Sequence, residues 1–176
     1  MNLQGKKLLI AYFSRKGNNY SNGSIVNLPI GNTYVIAKMI ADLTSGDLFC
    51  IDTIKPYPED YGQTAELAGQ ELRNNARPVL LNHVVDMGSY QVVFLGYPNW
   101  CDTMPMAVCT FLEEYDFSGK MIVPFCTHEG SGFGSSVRDI VKLCPSAELV
   151  GAMAFHGSNV KNARKEVESW IQELQK

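Results

Sequence analysis

Continuous apolar runs and amphipathic stretches alternate along this chain. Lys7 to Ser14, "KLLIAYFS", is an apolar run that ends in polar residues, which is typical of a strand buried on both faces. The same reading predicts further strands at 47–51, 90–97, 120–126 and 148–154. Apolar residues at helical spacing, or polar helix-prone stretches, separate these strands. The predicted helices span 33–43, 61–74, 104–114, 135–143 and 162–174.

Five strands that alternate with five helices predict a parallel α/β sheet. Short links imply right-handed crossovers, with helices on both faces of the sheet. The 176 residues show no repeat or internal boundary, so one domain over 1–176 is expected. Ligands of such sheets lie at the carboxyl ends of the strands, where the strand order reverses. The segments after strands one, three and four are therefore the candidate binding loops.

The first loop offers an anion site. Asn32 and Thr33 precede a predicted helix, whose first backbone N–H groups point outward and bind anions. Ser14 and Thr33 add hydroxyl donors. A plain helix cap explains the local pattern equally well. It is not a Walker loop, because no Gly-Lys-Ser/Thr follows.

An inserted ribbon at about 18–30 interrupts this loop. It contains Asn22-Gly23 between residues that can pair, which is a hairpin signal. The ribbon leaves the first strand after Ser14 and returns to the loop at Gly31. Without it, Ser14 and the Gly31–Thr33 segment would form one compact loop.

The second loop, "YPNWCDTMP", places an indole after a buried strand. Trp100 is expected at the surface rim, where it could stack on a planar aromatic ligand. The alternative is an aromatic side chain that shields a helix end.

The third loop, "CTHEGSGFGSS", has three glycines in five positions, and glycine lets backbone N–H groups approach a ligand. It lacks the third glycine of G-x-G-x-x-G and does not match G-x-S-x-G, so dinucleotide or hydrolase readings are weak. His128-Glu129 has no further ligand at a suitable spacing, so no metal site is predicted. His83 and His156 look like isolated surface residues.

Net charge and cysteine content limit the partners and the cellular compartment that we expect. The net charge is −3, and no basic stripe interleaves with aromatic residues, which disfavours nucleic acid as a partner. No apolar stretch is long enough to span a bilayer, so no membrane partner is predicted, and the N-terminus resembles a first strand rather than a signal peptide. The five cysteines are widely spaced without a C-x-x-C pair, so we expect a reduced, cytoplasmic protein.

Taken together, the three loops resemble those of flavodoxin-like FMN proteins over nearly the whole chain. The matching pieces are "AYFSRKG…GNTYVIAKMIA", "FLGYPNWCDTMPMAV" and "PFCTHEGSGFGSS", in that order. The resemblance implies a flavodoxin-like three-layer sandwich, with a five-stranded parallel sheet in the order 2-1-3-4-5. It also implies FMN as the cofactor.

The resemblance further implies where FMN would lie. The phosphate would bind at Ser14, Asn32 and Thr33, with Arg15. The isoalloxazine would lie between the Tyr97–Trp100 and Thr127–Gly132 loops. The implied cofactor-binding set is Ser14, Arg15, Asn32, Thr33, Tyr97, Pro98, Asn99, Trp100, Cys101, Asp102, Thr127, His128, Glu129, Gly130 and Gly132.

Two features depart from simple flavodoxins. The ribbon is an addition, which casts doubt on Gly17 as a phosphate contact. Asp102 stands where many relatives carry a glycine beside flavin N5. The family uses a peptide flip there that favours positive φ, which glycine adopts more freely than aspartate. The resemblance therefore leaves the stability of one-electron-reduced flavin open.

Three functions are weighed. The first is an electron carrier that docks on a redox partner protein. The second is an FMN-dependent NAD(P)H:quinone-type oxidoreductase that passes electrons from a nicotinamide donor to a small acceptor. The third, a non-redox signalling module, is disfavoured, since a receiver domain needs acidic residues where Ser14-Arg15 and Tyr97-Pro98 stand. The net charge is mild, and Arg15, Lys16 and Arg138 are expected near the site. These two features slightly favour an enzyme, or a redox partner that is less acidic.

Overall fold

The central strands of this protein are buried on both faces. A computed structural model describes residues 3–176. All five residues of β1, Leu8–Tyr12, are buried, and so are the first six of β5, Val92–Pro98. The remaining strands are β2 (Gly17–Ser21), β3 (Ser24–Leu28), β4 (Asp47–Cys50), β6 (Met121–His128), β7 (Glu148–Leu149) and β8 (Met153–His156). The helices are α1 (Asn32–Thr44), α2 (Tyr61–Arg73), α3 (Met106–Glu114), α4 (Ser136–Leu143) and α5 (Arg164–Leu174).

The main sheet is parallel and has the predicted order. β1 pairs with β4 on one side and β5 on the other, and β6 follows β5. β7 and β8 both pair with β6, so together they occupy the fifth position. The order 2-1-3-4-5, with helices on both faces, is confirmed.

The fifth strand is not the continuous segment predicted at 148–154. It breaks after Leu149, and the chain resumes pairing at Met153. Gly151 between them has φ +57, and its carbonyl accepts a hydrogen bond of 2.6 Å from the indole N–H of Trp170. This bend shifts β8 so that His156 lies opposite His128 at the end of β6.

Two helices begin two residues later than predicted. Pro105 is the N-cap residue of α3, and its ψ of 143° is not helical, so the helix begins at Met106. A 3-10 turn at Gly157–Asn162 precedes α5, which therefore begins at Arg164 rather than near 162.

Successive residues along the strands face opposite sides of the sheet and enter separate cores. On one side, Leu9 and Leu95 pack in a cluster that includes Phe111 of α3. On the other, Ile10 and Phe94 pack in a cluster that includes residues of α1 and α5. The two cores hold the strand ends rigidly, which fixes the loops that follow them.

The segment inside the first loop forms a separate two-stranded hairpin. β2 and β3 pair antiparallel, and Asn22 and Gly23 join them with φ values of +48 and +86. Positive φ at both positions is the geometry of a type I′ hairpin turn. No helix within residues 3–176 has both the length and the apolar character needed to cross a membrane.

Candidate functional site

A cleft of about 300 Å³ opens at the carboxyl ends of β1, β5 and β6. The chain steps from β1 outward to β4 and then returns to β5, so strand order reverses between β1 and β5. This is the place where doubly wound sheets bind ligands. The lining residues are Arg15, Asn19, Tyr20, Asn32, Thr33, Tyr61, Pro98, Asn99, Trp100, Thr127, His128, Glu129, Ser131 and Gly157.

The N-terminus of α1 forms one end of the cleft. Ser14 Oγ accepts a hydrogen bond of 3.1 Å from the backbone N–H of Tyr34, so it caps the helix from the preceding strand. The amides of Asn32 and Thr33 precede that bond and have no acceptor within the helix. A Cβ at Gly31 would lie 2.2 Å from Ser14 Oγ, so only glycine allows this close approach. The arrangement suits an anion.

Thr33 and Thr127 join the first and third loops beneath the cleft. Their hydroxyl oxygens are 2.8 Å apart, and the residues are only 1% and 4% exposed. Such buried polar groups are retained only when they are hydrogen-bonded. The pair therefore fixes the two loops relative to each other.

Arg15 mainly organises the loops around the cleft. Its guanidinium donates hydrogen bonds to the carbonyl oxygens of Asn18, Pro58 and Glu59. These bonds connect the start of the hairpin to the segment that precedes α2. The guanidinium still lines the cleft, although three of its five donors serve the protein itself.

Trp100 lies half-buried on the opposite wall rather than free at the rim. Its ring packs edge-on against Phe13, with centroids 5.2 Å apart, and against Tyr57 at 5.0 Å. Asn99 beside it donates a hydrogen bond of 2.8 Å to the carbonyl of Gly132 in the third loop. The indole is thus held in place and presents a planar surface to the cleft.

The turn after Trp100 has a conformation that is costly for its residues. Cys101 and Asp102 have φ values of +51 and +64, and Trp100 pairs with Thr103 across them. The Asp102 carbonyl accepts hydrogen bonds from the backbone N–H of Ser135, at 2.7 Å, and from its hydroxyl, at 3.0 Å. The third loop therefore holds this peptide in one orientation.

Glu129 connects the third loop to the hairpin. Its Oε2 accepts a hydrogen bond of 3.1 Å from the backbone N–H of Asn22 at the hairpin turn. Its Oε1 is buried and has no hydrogen-bond partner among the described residues. A Cβ at Gly157 would lie 2.5 Å from this oxygen and 2.7 Å from Asn32 Nδ2, so only glycine fits against these two groups.

His128 lies at the same edge. Burial, together with the neighbouring His156, lowers its pKa, and Glu129 opposes this shift. Its Nδ1 accepts a hydrogen bond of 2.9 Å from the backbone N–H of Gly130, so the neutral ring carries its proton on Nε2. The His156 ring is 5.6 Å from the His128 ring, and the expectation that His156 is isolated is wrong. His156 is the last residue of β8. Its proximity to His128 follows from the register in which β8 pairs with β6, which the sequence alone does not show.

The structure places the fifteen predicted site residues in the cleft wall, in the loops that support it, or in the core. The structure gathers nine of them in the cleft wall: Arg15, Asn32, Thr33, Pro98, Asn99, Trp100, Thr127, His128 and Glu129. Ser14 lies directly beneath as a cap, and Cys101, Asp102, Gly130 and Gly132 shape the loops. The Tyr97 side chain is in the core, where its hydroxyl lies 2.9 Å from Ser136 Oγ. Its ring does not reach the cleft.

Five residues that line the cleft were not predicted from the sequence: Asn19, Tyr20, Tyr61, Ser131 and Gly157. Asn19 and Tyr20 belong to β2, and the hairpin signal alone does not show over which loop the hairpin folds. Tyr61 begins α2, after a strand that was not expected to contribute. Within residues 3–176, no three His, Cys, Asp or Glu side chains cluster so as to hold a metal ion.

A doubly wound parallel sheet with a cleft over a helix N-terminus at the switch point defines a nucleotide-binding α/β protein. The chain belongs to the flavodoxin family, whose model matches residues 7–174. No curated protein matches this chain at a significant level.

Solved structures agree with this assignment. A candidate flavoprotein from Bacteroides eggerthii is 27% identical, with a TM-score of 0.76 over 96% of this chain and 98% of that one. Another, from Bacteroides uniformis, is 25% identical, with a TM-score of 0.75 over 96% and 99%. A flavoprotein from Lactobacillus acidophilus, solved in complex with FMN, shares the fold at 18% identity, with a TM-score of 0.68 over 95% and 99%.

Proposed function

We propose that this protein binds FMN in the cleft and transfers electrons through it. The observation that carries the proposal is the pairing of an anion site with a planar aromatic wall. The α1 N-terminus supplies unpaired amides at one end of the cleft, and Trp100 supplies the wall at the other. When bound, FMN would supply the redox chemistry of the transfer.

The residues present fit this cofactor. The phosphate end offers neutral donors, namely the first amides of α1 and the Asn32 side chain, and the first turn of α1 has no acidic residue. An unpaired buried carboxylate oxygen such as Glu129 Oε1 is costly unless something donates to it. The hydroxyl groups of a ribityl chain are donors of the required kind. The membership of the flavodoxin family and the FMN complex of the Lactobacillus acidophilus protein support the same choice.

The partners belong to the proposal as well. An electron carrier would dock a redox partner protein at the cleft. The second candidate is an FMN-dependent oxidoreductase that takes electrons from a nicotinamide donor and passes them to a small acceptor. The hairpin favours this candidate, because Asn19 and Tyr20 wall the cleft on a side that a docking protein would otherwise approach. All five cysteines are free thiols, which supports a reduced, cytoplasmic setting.

The purified protein tests the cofactor directly. We expect a flavin visible spectrum, and the flavin released by denaturation should migrate as FMN on chromatography. Release of FAD, or failure of the apoprotein to bind FMN in a titration, would contradict the proposal. Anaerobic titration with NADH and NADPH then separates the two candidates, since a carrier needs no direct reduction by nicotinamide.

A further inference from the structure

Two aromatic rings support the Trp100 indole, which forms the planar wall of the cleft. One belongs to Phe13, a core residue that is only 3% exposed, and its centroid lies 5.2 Å from that of the indole. The other belongs to the half-buried Tyr57, whose centroid lies 5.0 Å away. The Phe13 and Tyr57 rings meet edge-on at 5.7 Å, so the three side chains form one cluster.

Helix α2 leaves space on its side of Trp100. Three of its residues beside the indole have short side chains, namely Thr64, Ala65 and Ala68. They border a cavity of about 100 Å³ that Trp100 also lines. Close packing is what normally fixes a side chain in one position. The indole therefore has room to turn toward α2 unless a group outside this cavity holds it.

Glu71 fixes the polar end of Tyr57. The Tyr57 hydroxyl donates a hydrogen bond of 2.8 Å to Glu71 Oε2, which joins the loop before α2 to the last turn of that helix. Glu71 follows Ala68 by three residues and Thr64 by seven, so it lies on the face of α2 that borders the cavity. Because the hydroxyl is at the far end of the ring, this bond fixes the direction in which the Tyr57 ring points.

The ionisation of both partners favours this bond. Burial raises the pKa of Tyr57, and the Glu71 carboxylate raises it further, so the phenol stays protonated and acts as the donor. Burial also raises the pKa of Glu71, whereas the hydrogen bond from Tyr57 and the charge of Lys55 oppose this rise and favour the carboxylate. A hydrogen bond to a carboxylate is stronger than one between neutral groups.

We propose that Tyr57 and Glu71 are positioning residues for Trp100. Glu71 holds the Tyr57 phenol, and the Tyr57 ring holds the indole in the cleft wall. Neither Tyr57 nor Glu71 lines the cleft, so both act on a bound ligand through Trp100. The effect on flavin binding rests on the proposed function, whereas the placement of Trp100 does not.

Fluorine NMR of the ligand-free protein labelled with 5-fluorotryptophan tests the placement. The chain has two tryptophans, Trp100 and Trp170, and Trp100→Phe identifies the Trp100 signal. Tyr57→Phe keeps the ring but removes the hydroxyl, and Glu71→Leu removes the acceptor. Both should shift or broaden the Trp100 signal and leave the Trp170 signal unchanged. Glu71→Gln keeps a carbonyl acceptor and should retain the Trp100 signal of the unmodified protein.

Tyr90→Phe is the matched control. It removes another tyrosine–carboxylate bond of 2.8 Å, made to Asp47 at the start of β4, at the end of the sheet away from the cleft. Circular dichroism checks that all variants fold, and the Trp100 signal should stay in place in Tyr90→Phe. An unchanged Trp100 signal in Tyr57→Phe, or an equal change in Tyr90→Phe, overturns the proposal. So does a Glu71→Gln signal displaced as far as that of Glu71→Leu.

Titration of the same apoproteins with FMN and riboflavin tests the consequence for binding. Tyr57→Phe and Glu71→Leu should weaken both flavins by the same factor, about threefold to tenfold, because the wall contacts the ring that they share. A displaced Trp100 signal without loss of flavin affinity overturns the positioning role. Failure of the unmodified protein to bind FMN contradicts the proposed function instead, and the fluorine signals still decide whether Tyr57 and Glu71 hold Trp100.

Discussion

Two buried threonine hydroxyls form the floor of the cleft, and their bond determines what a substitution there costs. Thr33 and Thr127 lie 2.8 Å apart in a region closed to solvent. Either hydroxyl can donate only one proton but can accept from other groups. Thr33 can therefore serve both Thr127 and a bound phosphate.

Thr33→Ala should weaken FMN binding by about 1–2 kcal/mol, because one hydrogen bond to a charged acceptor is lost. Riboflavin has no phosphate, so its affinity should barely change. Titration of the apoprotein with both flavins measures the difference, and Thr33→Ser, which keeps the hydroxyl, is the control. Equal losses for both flavins would show that Thr33 only supports the loop.

The same substitution should also lower stability. Thr33→Ala leaves the Thr127 hydroxyl buried without its partner, which costs about 1–3 kcal/mol in the free energy of unfolding. Urea unfolding without ligand measures this term separately from affinity.

Asp102 is a second residue whose conformation can be tested. Its φ of +64 is unfavourable for a residue with a Cβ. Asp102→Gly should raise the free energy of unfolding by about 0.5–1 kcal/mol, after allowing for the greater chain entropy of glycine. Asp102→Ala should lower it, since alanine keeps the Cβ and visits this region less readily than aspartate. Urea unfolding of the three proteins gives the order, and a glycine variant less stable than the alanine variant would contradict this account.

At the scale of elements, the hairpin is attached to the domain by few contacts. Arg15 binds the carbonyl of Asn18 at its base, and Glu129 binds the Asn22 amide at its turn. A two-stranded hairpin is only marginally stable alone. Its order therefore depends on these attachments and on the contact between the rings of Tyr20 and Tyr61.

Arg15→Ala should loosen the hairpin without unfolding the sheet. We expect hydrogen exchange at the paired amides between Asn18 and Asn27 to accelerate about tenfold or more. Amides of β1 and β5 should keep their protection. Lys16→Ala removes a neighbouring exposed cation and is the matched control. Unchanged exchange in the hairpin would show that other contacts hold it.

At the scale of the whole molecule, ligand binding should couple to global stability. The cleft is built from loops after β1, β5 and β6, so unfolding destroys the site completely. A ligand present at about one hundred times its Kd then adds about 2.7 kcal/mol to the free energy of unfolding. Thermal denaturation with increasing FMN should show Tm rising with concentration. Riboflavin at equal concentration should raise Tm less, and no dependence on FMN would contradict a site built across these loops.

The sequence by itself determined the architecture. A strand covered on both faces must be apolar throughout, so "KLLIAYFS" and "YQVVFLGY" identify central strands without further information. Strand ends then place the Asn32-Thr33, Trp100 and His128-Glu129 segments at one edge of the sheet. Nine of the fifteen predicted residues do line the cleft, because backbone topology alone brings their loops together.

Tertiary structure decided where individual side chains point and what they bind. Tyr97 and Trp100 follow the same strand, yet Tyr97 turns into the core and Trp100 toward the cleft. The Arg15 guanidinium satisfies carbonyls of two other segments, and His156 meets His128 because β8 pairs with β6 in that register. These contacts join residues that are far apart in the chain, and local periodicity carries no information about such partners. For the same reason, only the folded chain shows that Tyr20 and Tyr61 close one side of the cleft.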